Sequence, residues 1–201
     1  MTVLDCVQGS EEWVAARCGL LTASNFDKIV TASGEPSKQR QKLLYQLAGE
    51  RLVGARESAF QNEAMQRGSE LEAEARALYE MLTDNTVVEV GLCYKDDLRL
   101  CGCSPDGLVG EDGGLEIKCP SLPVHIEYVL GGKLPTEYVQ QVQGNLYVTG
   151  RKWWDFMSYT PGIRPLVVRV ERDEKFIEKL DAAVKAFAAE LEATVEKLKA
   201  C

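Results

Sequence analysis

No stretch of this 201-residue chain is apolar for long enough to cross a bilayer, and Met1-Thr2-Val3-Leu4-Asp5 lacks the basic start and apolar core of a signal peptide. A soluble, cytoplasmic protein is expected. Positive charge is scarce too. A net charge of −8 repels any polyanion at long range, so a nucleic-acid partner would need a local basic surface. Lys38, Arg40, Lys42, Arg51, Arg56 and Arg67 lie close enough in sequence to build one, and each reads equally well as part of a solvated helix face. The seven cysteines are odd in number and include no Cys-x2-Cys pair, which argues against a disulfide framework. Cys93, Cys101, Cys103 and Cys119 accordingly read as core thiols rather than as ligands of zinc or an iron–sulfur cluster. Internal repeats and low-complexity segments are absent, and 45% hydrophobic content predicts one substantial core and a single domain over residues 1–201.

The order of elements is α/β. Ser10 and the Thr22-Ala23-Ser24 run read as caps of two short helices, and leucines at helical spacing predict longer ones over about 38–53 and 59–82. Strands are expected over 87–90, 98–103, 107–109 and 115–117, joined as hairpins with turns at Asp96-Asp97 and Asp112-Gly113-Gly114. Helices over 123–130 and 136–148 and strands over 153–159 and 166–170 follow. A last helix, capped by Asp173, carries Phe176, Ile177, Leu180, Val184, Phe187, Leu191, Val195 and Leu198 on one stripe.

The chemistry is concentrated where Ser104-Pro105-Asp106-Gly107 precedes Leu115-Glu116-Ile117-Lys118-Cys119-Pro120. Side chains alternate along a strand, so Glu116 and Lys118 share one face while Leu115 and Ile117 turn into the core. Asp106 and Glu116 offer hard oxygens of the kind that hold Mg2+ or Mn2+, and Lys118 can act on the attacking water or the phosphate. Hydrolysis of a phosphodiester needs these parts, because a cation must shield the phosphoryl oxygens and bring the pKa of water down from about 15.7. A bare Glu-x-Lys is also what an ion pair on a strand looks like; its apolar flanks and the preceding Pro-Asp-Gly favour the metal-dependent nuclease reading. Glu72 lies beside the apolar stripe of its helix, able to reach inward or to stay solvated. Gln143 and Tyr147 stand one turn apart on one helix face, a placement suited to a phosphate or to the catalytic lysine.

Taken together, Gly68-x-x-x-Glu72, Ser104 to Gly107, Leu115 to Pro120, and Gln141-Val142-Gln143 with Tyr147 resemble the phage lambda exonuclease family, the YqaJ-like viral recombinases. Trp13 to Ser24 is similar to that family's N-terminal segment, and Val170 to Phe176 to its entry into the last helix; Arg51 to Ala64 and the C-terminus align poorly. The resemblance implies a restriction-endonuclease-like PD-(D/E)xK core, a central mixed sheet flanked by helices. It also implies an exonuclease that degrades one strand of linear duplex DNA from its 5′ end to mononucleotides and leaves 3′ overhangs for phage-type recombination. On this resemblance Asp106, Glu116 and the Ile117 carbonyl hold Mg2+, with Mn2+ as a substitute, Lys118 acts on the water, and Glu72 and Gln143 complete the catalytic set. Arg17, Ser24 and Ser104 match the family's 5′-phosphate pocket, a guanidinium fork with two hydroxyls, with Tyr147 among the substrate contacts. It further implies double-stranded DNA ends as substrate, a homotrimer around a DNA channel, a single-strand annealing protein as partner, and the cytoplasm of a bacterial host carrying a phage or prophage. Two rivals are an endonuclease on the same core and a non-catalytic DNA-binding protein, the latter disfavoured because binding alone needs no Asp106, Glu116 or Lys118.

Overall fold

The computed structural model describes residues 1–56 and 63–200, with side chains described outside 63–69. The predicted start of the second long helix at residue 59 and the Arg67 side chain lie outside that description. Strands β1 (Thr2–Leu4), β2 (Leu21–Thr22), β3 (Val87–Val88), β4 (Leu92–Tyr94), β5 (Cys101–Cys103), β6 (Gly107–Val109), β7 (Gly113–Lys118), β8 (Trp153–Ser158) and β9 (Leu166–Glu171) form two sheets. Helices α1 (Glu11–Ala16), α2 (Arg40–Val53), α3 (Glu63–Thr83), α4 (Leu122–Gly131), α5 (Val139–Thr149) and α6 (Glu174–Lys199) flank them, with a 3-10 helix over Ala23–Lys28.

The central sheet runs β3-β6-β7-β8-β9 and is mixed, since β7 and β8 pair in parallel and the other neighbours are antiparallel. A second sheet, β1-β4-β5-β2, is also mixed. The sequence predicts one hairpin-linked run from β3 to β7; instead β5 leaves it to pair with β4 and β2, and residues 104–106 bridge the two sheets. Strands this short carry too little pattern to declare their partners. Gly113-Gly114 also departs from the expected turn. These residues begin β7, where a Cβ on Gly113 would meet the Trp153 indole at 2.1 Å and one on Gly114 the Trp154 indole at 2.3 Å. The glycines are there because two indoles of the neighbouring strand lie across them.

Alternation on β7 sorts its side chains as expected. Leu115 and Ile117 pack with Ala75 and Tyr79 of α3 and Met157 of β8, while the larger core on the opposite side joins α2, α5, α6 and the 3-10 helix. Helix α6 closes that core with Phe176, Ile177, Leu180, Val184, Phe187, Leu191 and Val195 at three- and four-residue spacing, and Asp173 caps it by accepting from the Lys175 and Phe176 amides. Cys93, Cys101 and Cys103 are buried core residues. Among the described residues, no helix is long and apolar enough to cross a membrane.

Candidate active site

The C-terminal half of β7 ends in a pocket of about 160 Å3 that brings Arg17, Ser24 and Ser104 together with Asp106, Glu116 and Lys118. Glu116 is 1% exposed. Its Oε1 accepts from the Lys118 ammonium and from the Gln141 amide at 2.6 Å, and its Oε2 accepts from the Asn145 amide at 2.9 Å. Asp106 sits on the bridge between the sheets and accepts the Ile117 backbone N–H through Oδ2 at 2.5 Å. Glu72, on α3, is held by Arg76 at 2.7 Å; the same guanidinium reaches the Asp106 carbonyl at 3.2 Å and Glu89 at 2.8 Å. Arg76 therefore ties the third carboxylate to the loop that carries the first, a link no spacing argument exposes because it runs through a backbone carbonyl.

Carboxylates crowd one end of the pocket. Burial raises Asp106 well above the usual carboxylate range and the nearby Glu116 and Glu72 add to it, against the opposing Lys118 charge and Ile117 hydrogen bond. Glu72 is raised for the same first reason, with Arg76 opposing and Glu116 and Glu89 adding. For Lys118, burial alone would lower the ammonium, but Glu116 and Asp106 outweigh it and hold it above its ordinary value. Lys118 is thus a cation at neutral pH and a donor, not a base, in this state. Asp106 and Glu116 share Lys118 while Glu72 leans on Arg76, and carboxylates this close together are suited to a further positive charge.

Among the described residues no three acidic, histidine or cysteine side chains are gathered into a ready-made metal cage. Mg2+ does not need one, since it keeps several waters and binds through one or two carboxylates. Asp106 and Glu116 supply those hard oxygens, the Ile117 carbonyl follows Glu116 directly on β7, and among the described residues no thiol or imidazole lines the pocket. The donor set fits a hard divalent cation and does not fit zinc.

Beside the carboxylates lies a site of the opposite sign. Arg17 donates to the Ser104 hydroxyl at 2.8 Å, and the Trp13 indole N–H donates to the same oxygen at 2.9 Å while its ring lies 4.3 Å from the guanidinium carbon. Ser24 shares a 3.0 Å hydrogen bond with Thr22. The Arg17 Nε is buried and has no hydrogen-bond partner among the described residues. Burial, helped by the neighbouring Arg56 charge, lowers the Arg17 pKa to about 10, so it remains a poorly solvated cation at neutral pH. An incompletely paired, desolvated guanidinium with two hydroxyls suits an anion with several oxygens.

Two expected site residues are elsewhere. Gln143 donates to the Glu171 carbonyl at 2.9 Å and accepts from the Asp173 N–H at 3.0 Å, so it bolts α5 to the β9–α6 connection instead of entering the pocket. Tyr147 donates to Asp181 at 2.8 Å with Lys95 4.8 Å above its ring, facing α6. The reason is geometric: at 3.6 residues per turn, a two-residue offset reverses the helix face. Gln141 and Asn145, one turn apart, face Glu116, and Gln143 and Tyr147 face away. The signal was present in Gln141-Val142-Gln143, but its phase could not be set without knowing which side of α5 meets the sheet. Asn145 carried no signal. Gln8 was also missed; its amide donates to the Val90 carbonyl at 2.9 Å and the Pro105 carbonyl at 2.8 Å, fixing the bridge from outside.

A family model, the YqaJ-like viral recombinase domain, matches residues 12–152. The fold is similar to that of an alkaline exonuclease from Laribacter hongkongensis, with a TM-score of 0.87 and 43% identity over 94% of this chain and 96% of that one. A structure of the same exonuclease in complex with dAMP gives a TM-score of 0.85 and 42% identity over 94% and 96%. A phage related exonuclease from Haemophilus somnus 129PT shares the fold at 17% identity, with a TM-score of 0.70 over 89% and 96%. Among curated proteins, no significant match is found.

Proposed function

Since the chain belongs to the YqaJ-like viral recombinase domain family, we propose that its pocket is the active site of a metal-dependent 5′-to-3′ exodeoxyribonuclease. On this reading it releases mononucleotides from one strand of linear duplex DNA and leaves 3′ overhangs. The fold is the restriction-endonuclease-like one. The observation that carries the proposal is the single pocket in which an anion-seeking Arg17–Ser104 pair stands beside Asp106, Glu116 and Lys118. A binding protein would have no use for carboxylates buried this close together, which cost stability unless cations offset them. An alkaline exonuclease with 42% identity has been captured with dAMP, a mononucleotide, in keeping with this reading.

The division of labour follows from the contacts. Arg17, with the Ser24 and Ser104 hydroxyls, binds the terminal phosphate dianion and orients the strand. Asp106, Glu116 and the Ile117 carbonyl would hold Mg2+ or Mn2+, with Glu72 adding negative charge, and the ion would supply charge neutralisation and a more acidic water. Lys118 stays protonated between Glu116 and Asp106, so it orients the attacking water or donates to a phosphoryl oxygen as charge builds there. Gln141 steadies Glu116 from the helix side.

The deciding experiment uses a linear duplex labelled at one 5′ end, with a closed circle as control. Labelled mononucleotide should appear first, and the circle should survive. Release beginning at the 3′ end would overturn the polarity, and cutting of the circle would move the protein to the endonuclease class. The helix-phase correction gives a second test. Gln141→Ala should lower turnover by about tenfold, the effect of one hydrogen bond to a charged group. Gln143→Ala should leave turnover alone and lower Tm by several degrees, as loss of buried hydrogen bonds worth about 1–3 kcal/mol predicts at this size. The opposite pattern would restore Gln143 to the site.

A further inference from the structure

The Glu116 carboxylate has about four acceptor positions, and three are taken. Both positions on Oε1 are occupied, by Lys118 and Gln141, whereas among the described residues Oε2 accepts only from Asn145. Among the described residues one position on Oε2 is therefore open, on a residue that is 1% exposed. We infer that Asn145 is a positioning residue that pins the Glu116 carboxylate so that Oε2 alone is presented, through one lone pair, to the divalent cation. The inference rests on reading the pocket as a metal site.

Asn145 is built to stand still. It is itself 1% exposed, and its backbone carbonyl accepts from the Thr149 hydroxyl at 2.7 Å in the next turn of α5. The preceding Gly144 lets the 3-10 helix press directly on α5, since a Cβ there would meet the Phe26 ring at 2.4 Å and the Ala23 Cβ at 3.1 Å. A helix packed this closely cannot slide, so the donor it carries is fixed in space. The chemistry of the donor matters as well. A neutral amide orients a carboxylate without cancelling its charge, whereas a second lysine here would compete with the cation. Lys118 and Asn145 thus hold the two oxygens differently, one by a cationic donor and one by a neutral donor.

Groups that orient a metal-binding carboxylate typically change metal affinity by about 10- to 100-fold when removed. Calorimetric titration of Mn2+ into the full chain, comparing wild type with Asn145→Ala, Asn145→Ser and Glu116→Gln, tests the role directly. Asn145→Ala should bind Mn2+ at least about tenfold more weakly, with excess Mn2+ restoring most of the lost cleavage and the preference for 5′-phosphorylated ends retained. Asn145→Ser, which keeps a short hydroxyl donor, should fall between the two; if the alanine variant fails to fold, the serine variant should still bind severalfold more weakly. Wild-type Mn2+ affinity in a folded Asn145 variant, or lost cleavage that excess Mn2+ does not restore, overturns the inference. Glu116→Gln separates the two levels. If it loses Mn2+ while Asn145→Ala does not, only the positioning role fails; if it binds Mn2+ as wild type does, the metal-site reading fails with it.

Discussion

Asp106→Asn and Glu116→Gln are each expected to reduce metal-dependent cleavage by about a thousandfold or more while the protein stays folded, because charge stabilisation of a phosphoryl transition state has no substitute in this pocket. Both substitutions keep shape and an acceptor oxygen, so the Ile117 N–H still has a partner in Asp106→Asn. Asp106→Asn also removes a carboxylate whose charged form is penalised by burial and by the nearby Glu116 and Glu72. The metal-free Tm should therefore hold or rise in Asp106→Asn, the opposite of what deleting a structural ion pair does. Cleavage rates with a thermal melt check both halves at once. Near-normal activity in either variant removes the nuclease reading; lost activity with a collapsed Tm reduces the residue to a structural part.

Arg17→Ala carries the second large effect. A charge-assisted contact to a terminal phosphate is worth roughly 1.5–3 kcal/mol, so the preference for 5′-phosphorylated over 5′-hydroxyl ends should fall by about ten- to a hundredfold. The loss should appear in that ratio and in processivity, with Mn2+ binding unchanged, because Arg17 contacts Ser104 and Trp13 and no carboxylate of the metal set. Competition between the two kinds of end in one reaction measures the ratio. An unchanged preference in Arg17→Ala would remove it from the phosphate pocket and leave the metal site standing.

Sequence carried different parts of this molecule unequally. Long helices were legible because their caps and leucine spacing are local properties: Asp173 caps α6, and the predicted 38–53 helix is Arg40–Val53. The face of β7 was legible for the same reason, since alternation fixes Glu116 and Lys118 opposite Leu115 and Ile117 without reference to any partner strand. Two- and three-residue strands were not. β1, β2 and β4 exist through pairing across the chain, Thr2 with Tyr94 and Leu21 with Cys101, and nothing in Thr2–Leu4 announces it. In the candidate site, the residues expected on the strand and the bridge line one pocket, while on α5 it is Gln141 and Asn145 that line it and Gln143 and Tyr147 that face away. Val142, Leu146 and Val148 are all buried, so α5 is enclosed on more than one side and its apolar pattern does not say which polar residues look toward the catalytic strand.

The bridge between the two sheets has one more consequence. Ser104, which holds Arg17, and Asp106, which faces Glu116 and Lys118, are separated by Pro105 alone. Two residues of chain span at most about 7 Å, and proline freezes its own φ while restricting the residue before it to extended conformations. Gln8 grips the Pro105 carbonyl from the N-terminal segment. On the proposed function, the distance from the anchored end of a DNA strand to the bond that breaks would be gauged by this stiff tripeptide, on the scale of a single nucleotide. Domain motion or a loose lid could vary such a distance from one turnover to the next; covalent geometry does not. On the proposed function, substitutions far from this tripeptide would change the rate of cleavage, while the length of each step would be set by these three residues and the Arg17 they hold.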